Sequence, residues 1–263
     1  MISLLKTHLG RSPILLRIKA HLDNLREVFV QGNEQDLQWL TKKIIWQSNY
    51  KSFTFVEIGV FKGDNAVSII RLVKSFNVEV RYLGFDLFED IDHFFDSHPA
   101  DRAMYDTDEY PYWEFTSGAH ALDKVSANIS CILNSRYFSL IKGDSTITVP
   151  AYLDEICNAS MIYIDGCHDY DVVSKDWRNI CEIVESNPDV VIVFDDATYE
   201  GVNKLRREIE LSNLFKVFTL NYNQFFVVSN KSKFTRIFRA KSSRTSDQGR
   251  GIERMPSEPA FPG

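Results

Sequence analysis

No stretch of this sequence approaches the roughly 18 uninterrupted apolar residues of a membrane span, which speaks against a spanning helix. The first residues, MISLLKTHLGRSPILLRIKAHL, are broken by Lys6, His8, Arg11, Arg17 and Lys19. They lack the apolar core and small-residue cleavage site of a signal peptide, so mature protein is expected from the start. Cysteine is sparse: Cys131, Cys157, Cys167 and Cys181 form no CxxC pair. That argues against a zinc site or a disulfide framework, and for free thiols in a reducing, cytoplasmic setting. A basic face is also missing. Residues 231–263 carry eight Lys or Arg against three acids, so residues 1–230 hold a net −11 within the overall −6. Phosphate binding needs clustered cations on the folded face, so nucleic acid is not an expected partner. The remaining composition, 44% hydrophobic and 25% charged, is that of an ordinary globular protein. Neither an internal repeat nor a second globular domain is visible.

What is present is alternation. Residues 12–30 and 34–49 have helical apolar spacing, with Asn33 as an N-cap, and read as a helical cap over residues 1–50. Strands are expected at 53–59, 78–86, 136–144, 160–166 and 189–196, with helices over 64–76, 121–133, 148–157, 170–186 and 200–212. Such alternation predicts a parallel sheet with helices on both faces. Residues 214–230 break it, reading as two strands around a tight turn near Asn221–Asn223. With no room for a crossover, these two must be antiparallel. The expected fold is α/β, a Rossmann-like, doubly wound, mostly parallel seven-stranded sheet ending in an antiparallel hairpin. It occupies residues 51–230, with a lid-like insertion at 87–120. Residues 231–263, rich in Ser, Pro and Gly, read as a disordered basic tail.

In open α/β sheets ligands bind beyond the carboxyl ends of the strands, where strand order reverses. Glu57-Ile-Gly59-Val-Phe-Lys-Gly63 ends the first strand, and its glycines allow a tight turn and a close approach to a ligand. Its GxxxG spacing does not meet the dinucleotide fingerprint GxGxxG. Asp86 ends the next strand, 29 residues after Glu57, where a carboxylate can accept from both hydroxyls of a ribose. Asp144, in Lys142-Gly143-Asp144-Ser145, is positioned to meet an adenine edge, although GDS also makes a good turn. Asp165 ends strand four, followed by His168 and Asp169, and Asp195-Asp196 ends strand five. Carboxylates crowded at one edge repel unless a cation, a proton or basic groups compensate, and Mg²⁺ favours such oxygen ligands. The alternative for Asp169 and Asp196 is capping of the following helices. His168 is a candidate base, since imidazole titrates near neutrality.

EIGVFKGDN, GFDLFE, IKGDSTITVP, IYIDGCHDYDVVSKDW and VIVFDD, in this order, resemble the class I S-adenosylmethionine-dependent methyltransferases of the macrocin O-methyltransferase type. The resemblance spans roughly residues 53–230. It implies that Glu57, Gly59 and Gly63 hold the methionine part of the cofactor and Asp86 its ribose. It implies Mg²⁺ at Asp165, Asp195 and Asp196. Relatives often carry an acid at the position of Cys167, and His168 stands where catechol-type enzymes place a basic lysine. The insertion adds Phe94, Phe95, Tyr105, Tyr110, Tyr112 and Trp113 among acids and one Arg, Arg102. Rings flanked by carboxylates suit a sugar face or an aromatic ring; His93 and His98 are a weaker hint of a second metal site. The expected activity is Mg²⁺-assisted O-methylation of a small-molecule or sugar hydroxyl, with His168 and Asp165 as catalytic groups. A silent cofactor-binding or interaction module, or a metal-dependent hydroxylase on the same scaffold, remains open, as does assembly into homo-oligomers.

Overall fold

The computed structural model describes residues 36–48, 50–88, 121–235 and 238. Calls made on residues 1–35, on most of the 87–120 insertion and on the tail beyond 238 lie outside these. Helix α1 (Leu37–Ser48) begins at Asp36, whose carboxylate accepts from the Trp39 amide at 2.7 Å. That is a side-chain N-cap; the expected cap, Asn33, lies outside the described residues. The chain then runs β1 (Ser52–Ile58), α2 (Asp64–Ser75), β2 (Glu79–Asp86), α3 (Ala121–Ser130) and β3 (Phe138–Lys142). It continues through α4 (Ser145–Ala151), α5 (Leu153–Ile156), β4 (Met161–Ile164), α6 (Tyr170–Ser186) and β5 (Val191–Phe194), and ends in α7 (Glu200–Ser212), β6 (Phe215–Thr219) and β7 (Phe225–Ser229).

The seven strands form one sheet in the order β3-β2-β1-β4-β5-β7-β6. The first five are parallel, and β7 is antiparallel to both β5 and β6. This is the doubly wound sheet with an antiparallel end that the sequence predicts. β4 (MIYI) and β5 (VIVF) are buried at every position, as a parallel strand covered on both faces must be. β7 is buried throughout whereas β6 is only half-buried, which is why the second strand of the hairpin lies inward and the first takes the edge. One face packs Phe53, Phe55, Tyr82 and Tyr163 against α1, α2 and α3; the other packs Ile58, Phe85, Ile164 and Phe194 against α4 and α6.

Several boundaries differ from expectation by a few residues, two of them for identifiable local reasons. The third strand starts at Phe138 because Asn134 caps a short 3-10 turn, Ser135–Tyr137, through the Arg136 amide. The following helix starts at Ser145 because the Asp144 side chain caps it through the Thr146 amide at 2.8 Å. A further difference is a correction. Packing does not stop at residue 230: Phe234 is fully buried, and Phe238 packs at 4.7 Å on Phe226 and 5.6 Å on Phe218. Two phenylalanines four apart make an apolar stripe that the basic composition of residues 231–263 conceals.

Candidate active site

The chain winds outward from β1 to β2 and β3, then crosses back to β4 on the other side of β1. Order therefore reverses between β1 and β4, where the crevice of an open α/β sheet forms. The backbone ladder continues one residue beyond the strands: Gly143 N to Asp86 O, Gly59 N to Phe85 O, Asp165 N to Ile58 O and Asp195 N to Ile164 O, all at 2.8–2.9 Å. Asp86, Gly59, Asp165 and Asp195 thus stand abreast on one edge, each roughly 5 Å from the next. Gly59, at φ +88°, is sterically required: a Cβ there would lie 2.0 Å from the Asp165 carbonyl oxygen. Its missing side chain admits the end of β4.

On the β1–β2 side, Glu57 is fully buried and accepts from the Tyr82 hydroxyl at 2.6 Å through Oε2. Oε1 is buried with no hydrogen-bond partner among the described residues. Burial drives the Glu57 carboxyl well above its ordinary range, helped by the charges of Asp165 and Asp86 and opposed by the Tyr82 bond. The half-buried Asp86 accepts from the amides of Val60 (2.7 Å) and Phe61 (2.8 Å) through Oδ2, and from Phe88 (2.6 Å) through Oδ1. Burial raises its pKa, and these amides hold it down. The carboxylate expected to meet a ribose therefore first ties the glycine turn to β2. Gly63, at φ +79°, closes that turn at the head of α2. Asp144 heads α4 on the far side of β2.

On the β4–β5 side, His168 is buried and its Nε2 lies 2.6 Å from Asp196 Oδ2. Its ring stacks on Tyr199, centroids 4.5 Å apart. Asp196 has φ +55°, a left-handed conformation that Asp tolerates better than most residues. Gly201 lets α7 press on the His168 segment, since a Cβ there would meet the His168 carbonyl oxygen at 2.2 Å. Burial pushes the Asp165 carboxyl well up, and Asp195 and Asp196 push it further, against the pull of His168 and Tyr163. Asp169 leads into α6 with no capping bond from its side chain.

The hairpin supplies residues that sequence reasoning missed. Asn223 Nδ2 donates to Asp195 Oδ1 (3.0 Å) and Asp196 Oδ1 (2.9 Å), while its backbone carbonyl accepts from the Ala197 amide. Gln224 Nε2 donates to Asp195 Oδ2 at 2.8 Å, and Tyr163 donates its hydroxyl to the same oxygen. Burial and the charges of Asp165 and Asp195 raise the Tyr163 pKa, so it keeps its proton. The only signal in the sequence was the turn at Asn221–Asn223, which reads as turn chemistry.

The three carboxylates are the right donors for a hard cation, but Asp195 is already engaged by the hairpin. Counting the Asp196 amide at 2.8 Å, Asp195 accepts four hydrogen bonds, two per oxygen. That is the full capacity of a carboxylate. Among the described residues no group of three His, Cys, Asp or Glu side chains is set to hold a metal ion. The acids are compensated by a phenol, two amides and an imidazole.

The family model described as "Methyltransferase domain" matches residues 56–197, more than half of the chain. No curated protein matches by sequence. Among solved structures, the chain is similar to CalS11, a TDP-rhamnose 3'-O-methyltransferase of calicheamicin biosynthesis, at 15% identity over 88% of this chain and 93% of that one, TM-score 0.47. The O-methyltransferase TomG from Streptomyces achromogenes gives 13% identity, coverages of 78% and 84%, and a TM-score of 0.46. An O-methyltransferase from Bacillus cereus gives 11%, 82% and 90%, and 0.45.

Proposed function

Because the chain belongs to the methyltransferase-domain family, we propose that it moves the methyl group of S-adenosylmethionine to a hydroxyl of a small molecule or sugar. One observation supports this reading: the reversal of strand order puts Glu57, Gly59, Gly63, Asp86 and Asp144, the side we assign to the cofactor, apart from Asp165, His168, Asp195 and Asp196. On the cofactor side the buried Glu57 Oε1, lacking a partner, suits an ammonium group. Ribose hydroxyls at Asp86 would replace the Val60 and Phe61 amides as its partners. Asp144 would meet the adenine edge from the head of α4.

S-adenosylmethionine, when bound, supplies an electrophilic methyl group and leaves as S-adenosylhomocysteine. His168 does the work on the acceptor. Paired through Nε2 with Asp196, His168 would take the proton of the acceptor hydroxyl, and the bound cofactor would supply the methyl group. Asp196 stabilises the imidazolium, as a carboxylate does for a histidine base. Asp165 adds negative potential beside it. Tyr163, Asn223 and Gln224 hold Asp195 so that the pair stays in register.

A second reading, with Mg²⁺ at Asp165, Asp195 and Asp196, is favoured by the raised Asp165 carboxyl, which a cation would relieve. It requires Asn223 and Gln224 to release Asp195. Transfer of labelled methyl groups to a panel of hydroxyl acceptors, with and without EDTA, tests both. Turnover that survives EDTA supports the His168–Asp196 pair alone, and turnover lost with EDTA supports the cation. No transfer to any acceptor, with cofactor binding intact, favours a silent module, and oxidised product without methyl transfer a hydroxylase.

Small-molecule rather than nucleic-acid acceptors are supported by the net −11 of residues 1–230. The four cysteines are free thiols, which supports a cytoplasmic location. No helix among the described residues is long and apolar enough to cross a membrane.

A further inference from the structure

Pro150 lies inside α4 and has no amide hydrogen, so the carbonyl of Thr146 loses its i+4 donor. That oxygen accepts instead from Asn179 Nδ2 on α6, at 3.4 Å. Three residues earlier on the same face of α6, Asp176 Oδ2 accepts from Ser145 Oγ at 3.1 Å. Two side chains of α6 thus grip the first turn of α4, at the residues that follow Asp144. We infer that Asp176 and Asn179 form a latch fixing the β3–α4 turn, and are positioning residues for the adenosine end of the cofactor. This rests on the cofactor reading given above for Asp144.

The chemistry of Asp176 is what a packing role does not explain. It is 1% exposed, and its Oδ1 is buried with no hydrogen-bond partner among the described residues. A leucine would fill such a site without desolvating a carboxyl. Burial, then the nearby Asp144, raises its pKa to about 7, against the Ser145 bond and the charge of Lys175. The other elements packed on α6 are α7, β7 and, through Trp177, β5 (VIVF), which carries no charge, and β6, whose charged residue is Lys216. Lys204 and Glu208 of α7 engage Tyr170, near the start of α6, and β7 (FFVVS) carries no charge. Below neutrality Asp176 is a neutral acid bonded to Ser145. Above it, the carboxylate keeps the Ser145 bond, but it is a buried charge with one unpaired oxygen near Asp144, and that penalty favours opening of the β3–α4 turn.

The test needs two readouts on the full chain. Amide hydrogen exchange without ligand reads the latch at Ile147 and Thr148, whose amides bond to the Asp144 carbonyl. Asn179→Ala should speed their exchange by roughly fivefold, the effect of one neutral hydrogen bond. Calorimetry with S-adenosylhomocysteine reads the positioning. Wild type should bind roughly fivefold more weakly at pH 8 than at pH 6, a modest coupling between sites. Asp176→Asn should remove that dependence, and Asn179→Ala should weaken binding at both pH values. Unchanged exchange in Asn179→Ala would overturn the latch. Faster exchange with unchanged affinity and pH profile would overturn the positioning role. If wild type bound no S-adenosylhomocysteine, the cofactor reading and the positioning role would both fall, and exchange alone would report the latch.

Discussion

Replacing Asp176 by Asn should flatten part of the pH dependence of the protein's stability. The carboxyl titrates at about 7 in the fold and near 3.9 in an unfolded chain. Between those values the native state holds a proton that the unfolded state has lost, so unfolding free energy falls as pH rises. The penalty begins near pH 4, grows to about pH 7 and is constant above. Three pH units at about 1.4 kcal/mol each make it about 4 kcal/mol at most. The variant has no such titration, although its amide nitrogen lacks an acceptor at the Oδ1 position. Its absolute stability is therefore less informative than its slope. Urea unfolding followed by tryptophan fluorescence should show the difference, variant minus wild type, growing by up to about 4 kcal/mol from pH 4 to pH 8. Glu57 and Asp165 also titrate high, but they do so in both proteins and cancel. Parallel curves would refute the argument, because they would mean Asp176 is ionised in both states or in neither.

Truncation after Lys233 removes the buried Phe234 and Phe238; thermal melts should show a loss comparable to Phe→Ala in a core, about 3–5 kcal/mol or more. Tyr82→Phe deprives Glu57 of the hydroxyl that donates to its Oε2 and should cost about 1–3 kcal/mol by denaturant titration. Asn223→Ala should cut the rate of methyl transfer with little change in S-adenosylhomocysteine affinity, since it frees Asp195 and Asp196 but touches nothing on the cofactor side. An equal loss in binding would contradict that division. His168→Ala should lower turnover roughly 10²–10⁴-fold, the range for a positioned proton acceptor, with the melting temperature falling far less than for Asn223→Ala if the hairpin is what holds the acids.

Much of this was legible in the sequence because strand-end residues announce themselves. EIG, GFD, KGD, IDG and FDD each follow a short apolar run, and a parallel sheet must bring such ends to one edge. What could not be read was partnership across distant segments. Gln224 reaching Asp195 and Asn179 reaching Thr146 depend on how the hairpin folds inward and how α6 lies on α4, and local pattern carries neither. Asp86 ends β2 as expected, but its three backbone bonds come from turns whose shape depends on φ at Gly59 and Phe61. Composition misled at the tail, where Phe234 and Phe238 were averaged away among lysines and arginines.

The central claim is that the edge between β2 and β4 takes S-adenosylmethionine, and calorimetry with S-adenosylhomocysteine tests it most directly. Wild type should bind, and Asp86→Ala should weaken binding by roughly 1–3 kcal/mol, as ribose hydroxyls lose their acceptor. Asp195→Asn, on the other side of the reversal, should leave the affinity unchanged. No binding by wild type at high micromolar ligand, or equal losses from both variants, would contradict the account.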